Sequence, residues 1–138
     1  MNTDATGFGI DFPIQCEIAG CIAKSCGKAA GPEANGASGF GIGIGYSAIE
    51  SMTIHDCVSV DNRKFGFFTE HQGRFNEYTL YKAPSVTGIH VLNCVTGGNL
   101  YGFGGIHAVN THYEHCASTG TDKLMVYFDE FSHNNFLE

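Results

Sequence analysis

Four six-residue stretches decide how this chain folds. They are residues 18–23, Ile-Ala-Gly-Cys-Ile-Ala; residues 54–59, Ile-His-Asp-Cys-Val-Ser; residues 91–96, Val-Leu-Asn-Cys-Val-Thr; and residues 113–118, Tyr-Glu-His-Cys-Ala-Ser. Each reads apolar, any residue, glycine or polar, cysteine, apolar, small. The position before each cysteine holds Gly20, Asp56, Asn93 or His115. These residue types tolerate positive φ, where most side chains clash with the backbone. A single left-handed residue there bends the chain sharply and interrupts strand alternation. The apolar residue three before the cysteine and the cysteine itself then both point inward.

A second motif alternates with the first: Gly7-Phe8, Gly39-Phe40, Gly66-Phe67 and Gly102-Phe103, each followed by further glycine or apolar residues. The cysteines at 21, 57, 94 and 116 stand 36, 37 and 22 residues apart. Repeats of this length are the mark of stacked supersecondary units, each too small to bury its apolar face alone. The shortest interval fits one turn of a three-sided β-coil, and the longer two then carry loops. One such coil has a strand at Met52–His55, a second at Cys57–Val60 and a third at Gly66–His71. Expected columns of like residues are Cys21, Cys57, Cys94 and Cys116; Phe40, Phe67 and Phe103; and Ile18, Ile54 and Val91. The six cysteines are then small buried hydrophobes with free thiols, because stacked, parallel Cβ vectors suit disulfide geometry poorly.

Over residues 7 to 121 this pattern resembles the pectate-lyase-like, right-handed parallel β-helix proteins. The resemblance implies an all-β fold: a right-handed, single-stranded parallel β-helix, here a short stack of about four to five coils. The length of 138 residues suits a single domain over 1–138, expected as a fragment of a larger protein. The resemblance also implies that a substrate groove runs along the third strand and the loops before it. That architecture serves lyases, hydrolases, epimerases, phage tail spikes and adhesins alike, so activity has to be argued from the site.

Composition narrows the partners. A formal net charge of −7 over 138 residues disfavours nucleic acid and anionic membranes. There is no apolar run long enough for a transmembrane helix, and no basic-then-apolar leader is visible at the N-terminus. Both ends of such a stack are open sheet edges, which are liabilities unless covered. Because the chain enters its repeat almost at once, flanking sequence or a homotrimer is expected.

Two segments interrupt the repeat, 24–38 and 72–87, and long loops on a regular scaffold are where function concentrates. In the groove, Glu70 and His71 are the candidate catalytic residues. Asp61, Arg63, Lys64, Phe68, Tyr101 and His107 are the candidate substrate-binding residues. An outward acid beside two bases suits an acidic sugar, by acid–base chemistry or by charge-assisted hydrogen bonds. An outward Phe68 offers a ring for stacking on a sugar face. Alternation leaves Gly41, Gly43 and Ile106 as outward neighbours of Glu70, which gives it no carboxylate partner for hydrolysis on the adjoining strands. Tyr101-Gly-Phe-Gly-Gly-Ile-His107 begins like the Tyr-Gly-Phe-Asp-Pro-His-Asp signature of mannuronan epimerases and lacks both of its acids. His107, His112 and His115 fall on different strands and a bend. No metal site and no cofactor is expected.

The function expected is a carbohydrate-recognising β-helix module of a bacterial surface or phage tail protein, part of a polysaccharide depolymerase, acting outside the cell or on the virion surface. The alternatives are a structural spacer or oligomerisation module, and a complete polysaccharide lyase, hydrolase or epimerase.

Overall fold

The computed structural model describes residues 5–11, 15–29, 37–44, 52–71, 88–106, 108, 111–130, 132 and 134–138. Among them every regular element is a strand, and the strands sort into three parallel sheets. Sheet A holds β1 (Phe8–Asp11), β4 (Phe40–Ile44), β7 (Phe65–His71), β10 (Tyr101–Ile106) and β13 (Leu124–Phe128). Sheet B holds β2 (Cys16–Ala19), β5 (Met52–His55), β8 (Ile89–Leu92), β11 (Thr111–Glu114) and β14 (Phe136–Leu137). Sheet C holds β3 (Ile22–Lys24), β6 (Val58–Val60), β9 (Val95–Gly97) and β12 (Ala117–Ser118). Within each sheet, a strand pairs with the strands three before and three after it in chain order. This is the stacked, parallel arrangement of a β-helix-like fold. No helix among the described residues is long and apolar enough to cross a membrane.

The register sets the columns. Phe8, Phe40, Phe67 and Phe103 stand in line through β1, β4, β7 and β10. Their rings stack at 4.8, 4.8 and 5.4 Å with interplanar angles of 10° or less. Stacked rings at this spacing add roughly 0.5–1.5 kcal/mol per pair beyond burial. Ile18, Ile54, Val91 and Tyr113 form a second column through sheet B. These columns meet the buried cysteines in one core.

The left-handed bends stand where the sequence places them: φ is 61° at Gly20, 55° at Asp56, 51° at Asn93 and 51° at His115. The glycine ahead of each column phenylalanine answers a different constraint. A Cβ on Gly66 would lie 2.6 Å from the Gly102 carbonyl oxygen and 2.8 Å from Thr96 Cγ2. The strand entering sheet A therefore runs too close to sheet C for any side chain.

The cysteine column forms with all six thiols free, but not all are buried. Cys26, Cys57 and Cys94 are buried, whereas Cys16, Cys21 and Cys116 are half-buried. The expectation of six shielded thiols is corrected at these three, two of which (Cys21 and Cys116) cap the ends of the column. Burial pushes the Cys57 thiol above its ordinary pKa, and the contact with Cys116, together with burial, does the same for Cys94.

Two outcomes check this packing. Alkylation of the native protein, read by mass spectrometry, should modify Cys16, Cys21 and Cys116 well before Cys26, Cys57 and Cys94; uniform reactivity would contradict the column. At the Asn93 bend, Asn93→Gly should be nearly neutral in urea unfolding. Asn93→Val should cost about 1–2 kcal/mol, because a β-branched side chain is strained at positive φ. Equal stability of the two would remove the left-handed bend.

Candidate functional site

The connections from sheet C to sheet A, short after β6, β9 and β12 and long after β3, gather cations. Lys28, Arg63, Lys64 and Lys123 line one open cavity of ≈ 480 Å³ with Asn62, Gly98, Asn99, Leu100 and Thr121. Four of the seven lysines and arginines of a chain with net charge −7 thus converge on one surface. Lys64 and Lys123 immediately precede strands that are two steps apart in sheet A, so their backbones are about 9.6 Å apart along the stack.

The cavity floor is a directed ladder of hydrogen bonds. The Cys26 N–H donates to Asn62 Oδ1 at 3.0 Å. Asn62 donates from its backbone and from Nδ2 to Asn99 Oδ1, at 2.9 and 3.0 Å. Asn99 donates in the same double way to Asp122 Oδ1, at 2.9 Å each. The other Asp122 oxygen accepts from Thr96 Oγ1 at 2.5 Å and Ser118 Oγ at 2.7 Å. Asn62 and Asn99 are buried. A buried amide is tolerable only when its donors and acceptors are satisfied, and here each rung satisfies the next. The floor is therefore fixed, and the cations stand on a rigid base.

A second, smaller cavity of ≈ 170 Å³ lies on the outward face of sheet A, lined by Thr6, Gly9, Asp11, Gly41, Ile42, Gly43, Phe68 and Glu70. Asp11, Gly43 and Glu70 occupy one row across β1, β4 and β7. Two carboxylates thus flank a glycine, with Cα atoms about 9.6 Å apart at two strand spacings.

The structure separates residues that the sequence grouped. Arg63 and Lys64 line the larger cavity, while Glu70 and Phe68 line the smaller one. Arg63 lies before β7 and Glu70 near its far end, roughly 20 Å away along an extended strand. Phe68 is no exposed platform. It is 4% exposed and packs on Phe65 with ring centroids 4.7 Å apart. Phe65 in turn meets Tyr101, which stacks on Tyr127 at 4.5 Å. Tyr101 therefore belongs to a lateral aromatic cluster instead of an open groove. Asp61 is an exposed bend residue with φ 56°, beside the larger cavity but not among its lining residues. The side chain of His71, the whole of His107 and the 72–87 loop lie outside the described residues, as do residues 30–36 of the 24–38 loop.

Three residues were missed. Lys28 and Lys123 gave no signal until the turns were stacked. Asp11 did have one: it stands three after Phe8, as Glu70 stands three after Phe67.

On the outward face of sheet B, His55 is clamped between two acids. Its Nε2 lies 2.8 Å from Glu17 Oε1 and its Nδ1 lies 2.7 Å from Asp56 Oδ2. The hydrogen bond to Asp56, then that to Glu17, raises its pKa above the ordinary imidazole value.

Comparison with known families, with curated proteins and with solved structures finds no match.

The His55 clamp has a pH signature. Because the folded-state pKa is raised, its stabilising contribution is complete below about 6.5, while both acids stay ionised, and is lost as pH rises through the folded value. At this solvent-facing site the contribution is small. Histidine NMR titration should place His55 above the ordinary value and show it falling in both Asp56→Asn and Glu17→Gln. An unchanged titration in both variants would mean the clamp is not held in solution.

Proposed function

We propose that this chain is a carbohydrate-recognising module built on a right-handed, pectate-lyase-like β-helix, and that it binds a polysaccharide bearing anionic groups. The single observation that carries this reading is the convergence of Lys28, Arg63, Lys64 and Lys123 over a rigid asparagine floor. Arginine presents a planar fork matched to a carboxylate, and lysine adds a mobile point charge. The asparagine ladder keeps that floor from collapsing when the cations lose water. A sugar chain with charges at intervals would lie along the stack, following the two-step separation of Lys64 and Lys123. The remaining surface is strongly acidic, which opposes a dense polyanion such as duplex DNA. The module belongs on a bacterial surface or phage tail protein, outside the cell or on the virion, where a homotrimer would cover its lateral faces.

A second reading, hydrolysis of the bound glycan, draws on the Asp11–Glu70 row. Inverting glycosidases hold their two carboxyl groups about 6.5–9.5 Å apart so that a water fits between them, and two parallel strand spacings across Gly43 come close to that interval. Glu70 and Asp11 would then be the acid and base in a pair. A structural spacer is the third reading, supported by the exposed Leu124, Met125, Phe136 and Leu137 on the last two strands.

The test is binding of polygalacturonate against a neutral glucan, by titration calorimetry at low and raised salt. Polygalacturonate alone should bind, more weakly as salt screens the cations. Arg63→Gln with Lys123→Gln should lose affinity at least tenfold, about 1.4 kcal/mol, without a change in unfolding midpoint. Equal binding of the neutral glucan, or an unaffected double variant, sinks the cation reading. No binding to either glycan leaves the spacer. Release of reducing ends by the wild type without the unsaturated uronate a lyase would leave, abolished in Glu70→Gln, would establish the hydrolase.

A further inference from the structure

The outward face of sheet B gathers a group of donors that neither cavity uses. His112 and Glu114 alternate on β11, with Tyr113 between them pointing into the core. Glu138 follows β14, whose pairing sets Phe136 beside His112 and Leu137 beside Tyr113. The next position in that register puts Glu138 beside Glu114, where the Glu138 N–H donates to Tyr113 O at 2.8 Å and its carbonyl accepts from the His115 N–H at 3.1 Å. One donor atom from each of His112, Glu114 and Glu138 lies within 4.8 Å of the others.

Geometry alone would leave this as a surface ion cluster, but the imidazole adds an independent fact. Nε2 of His112 is shielded from solvent and has no hydrogen-bond partner. Its nearest acid, Glu138 Oε2, is 3.7 Å away, too long for a hydrogen bond. A shielded ring nitrogen left without a partner carries a desolvation penalty. A cation placed between it and the carboxylates would remove that penalty.

We propose that His112, Glu114 and Glu138 form a binding site for a divalent first-row transition ion that accepts mixed imidazole and carboxylate donors, such as Zn²⁺. Metal–donor distances of about 2.0–2.2 Å in a tetrahedral site put donors roughly 3.3–3.6 Å from one another. The 3.7 Å separation already observed is close to that. Glu138, whose side chain is largely exposed, has room to turn toward the ion. The fourth position falls to water or to His90, whose ring centroid is 5.6 Å from that of His112 and whose strand, β8, is the next in the sheet. Glu114 is also held from outside the site by His115 Nδ1 at 3.4 Å, the kind of outer contact that orients a ligating carboxylate. A hard oxygen-seeking ion such as Ca²⁺ is disfavoured, because it would want six or more oxygens and no imidazole.

The physical consequence is a clip. β14 is only two residues long, with Phe136 and Leu137 both exposed. A metal bridging β11 to the residue after β14 would fasten this last strand to the stack by coordination as well as by backbone bonds.

The experiment uses the whole chain and Co²⁺, whose absorption separates donor types, alongside Zn²⁺ in calorimetry. The free cysteines are the competing ligands, and thiolate coordination gives an intense near-ultraviolet charge-transfer band. The expected result is one ion per chain, a visible Co²⁺ spectrum without that band, and a rise in unfolding midpoint with Zn²⁺. Binding should be lost at least tenfold in His112→Asn and in Glu138→Gln, with metal-free midpoints unchanged. Glu114→Gln serves as the third variant should either of these destabilise the metal-free chain. Absence of one-to-one binding, a thiolate band, or wild-type affinity in both His112→Asn and Glu138→Gln would each overturn the proposal.

Discussion

Parallel pairing between strands three apart in the chain is the constraint on which everything else here depends. It fixes a spacing of about 4.8 Å and a register in which each side chain stands over its counterpart in the next strand. Like residues must then stack with like. Rings do this favourably, thiols fit because they are small, and buried amides can pass hydrogen bonds along a line. Phe8 to Phe103, Cys21 to Cys116 and Asn62 to Asp122 are three results of the same geometry. A charge in such a column is tolerable only at its end, and Asp122 is where the amide ladder stops.

The same geometry organises the surface. Outward residues in one row also stand at multiples of the strand spacing, so charges separated by many residues in sequence become regular arrays. Lys64 and Lys123 face the larger cavity two strands apart, and Asp11 and Glu70 face the smaller one at the same interval. A regular polymer is the ligand type whose own repeat can match such a ruler. On sheet B two adjoining outward rows instead collect histidines and acids, Glu17, His90 and His112 in one and His55 and Glu114 in the other. The two faces therefore differ in chemistry while sharing one scaffold.

The left-handed bends connect these faces. Those at Gly20, Asp56, Asn93 and His115 join sheet B to sheet C, and a parallel set at Ser25, Asp61 and Gly98 leaves sheet C. The second set explains why Asp61, an acidic residue in a promising loop, serves backbone geometry first. The chain there needs a residue that accepts positive φ, and aspartate meets that need.

Much of the fold was legible in sequence because its causes are local or strictly periodic. A left-handed residue before each cysteine is a property of one position, and the phenylalanine column follows from counting between Gly-Phe motifs. The outward row through Asp11 and Glu70 was equally countable, and only the first repeat was overlooked. What lay beyond sequence were the features set by how turns of unequal length come together. Lys28 and Lys123 belong to different repeats with no common motif, and they share a cavity with Arg63 only because the turns stack. Phe68 follows the outward alternation its sequence requires, yet Phe65, Tyr101 and Tyr127 close around it, since an aromatic ring on a sheet face is buried wherever neighbouring rows can supply partners. His112 and Glu138 stand 26 residues apart in the chain. Their approach depends on β14 adding to sheet B in one register, and register is a tertiary property, fixed by which side chains the assembled core will accept.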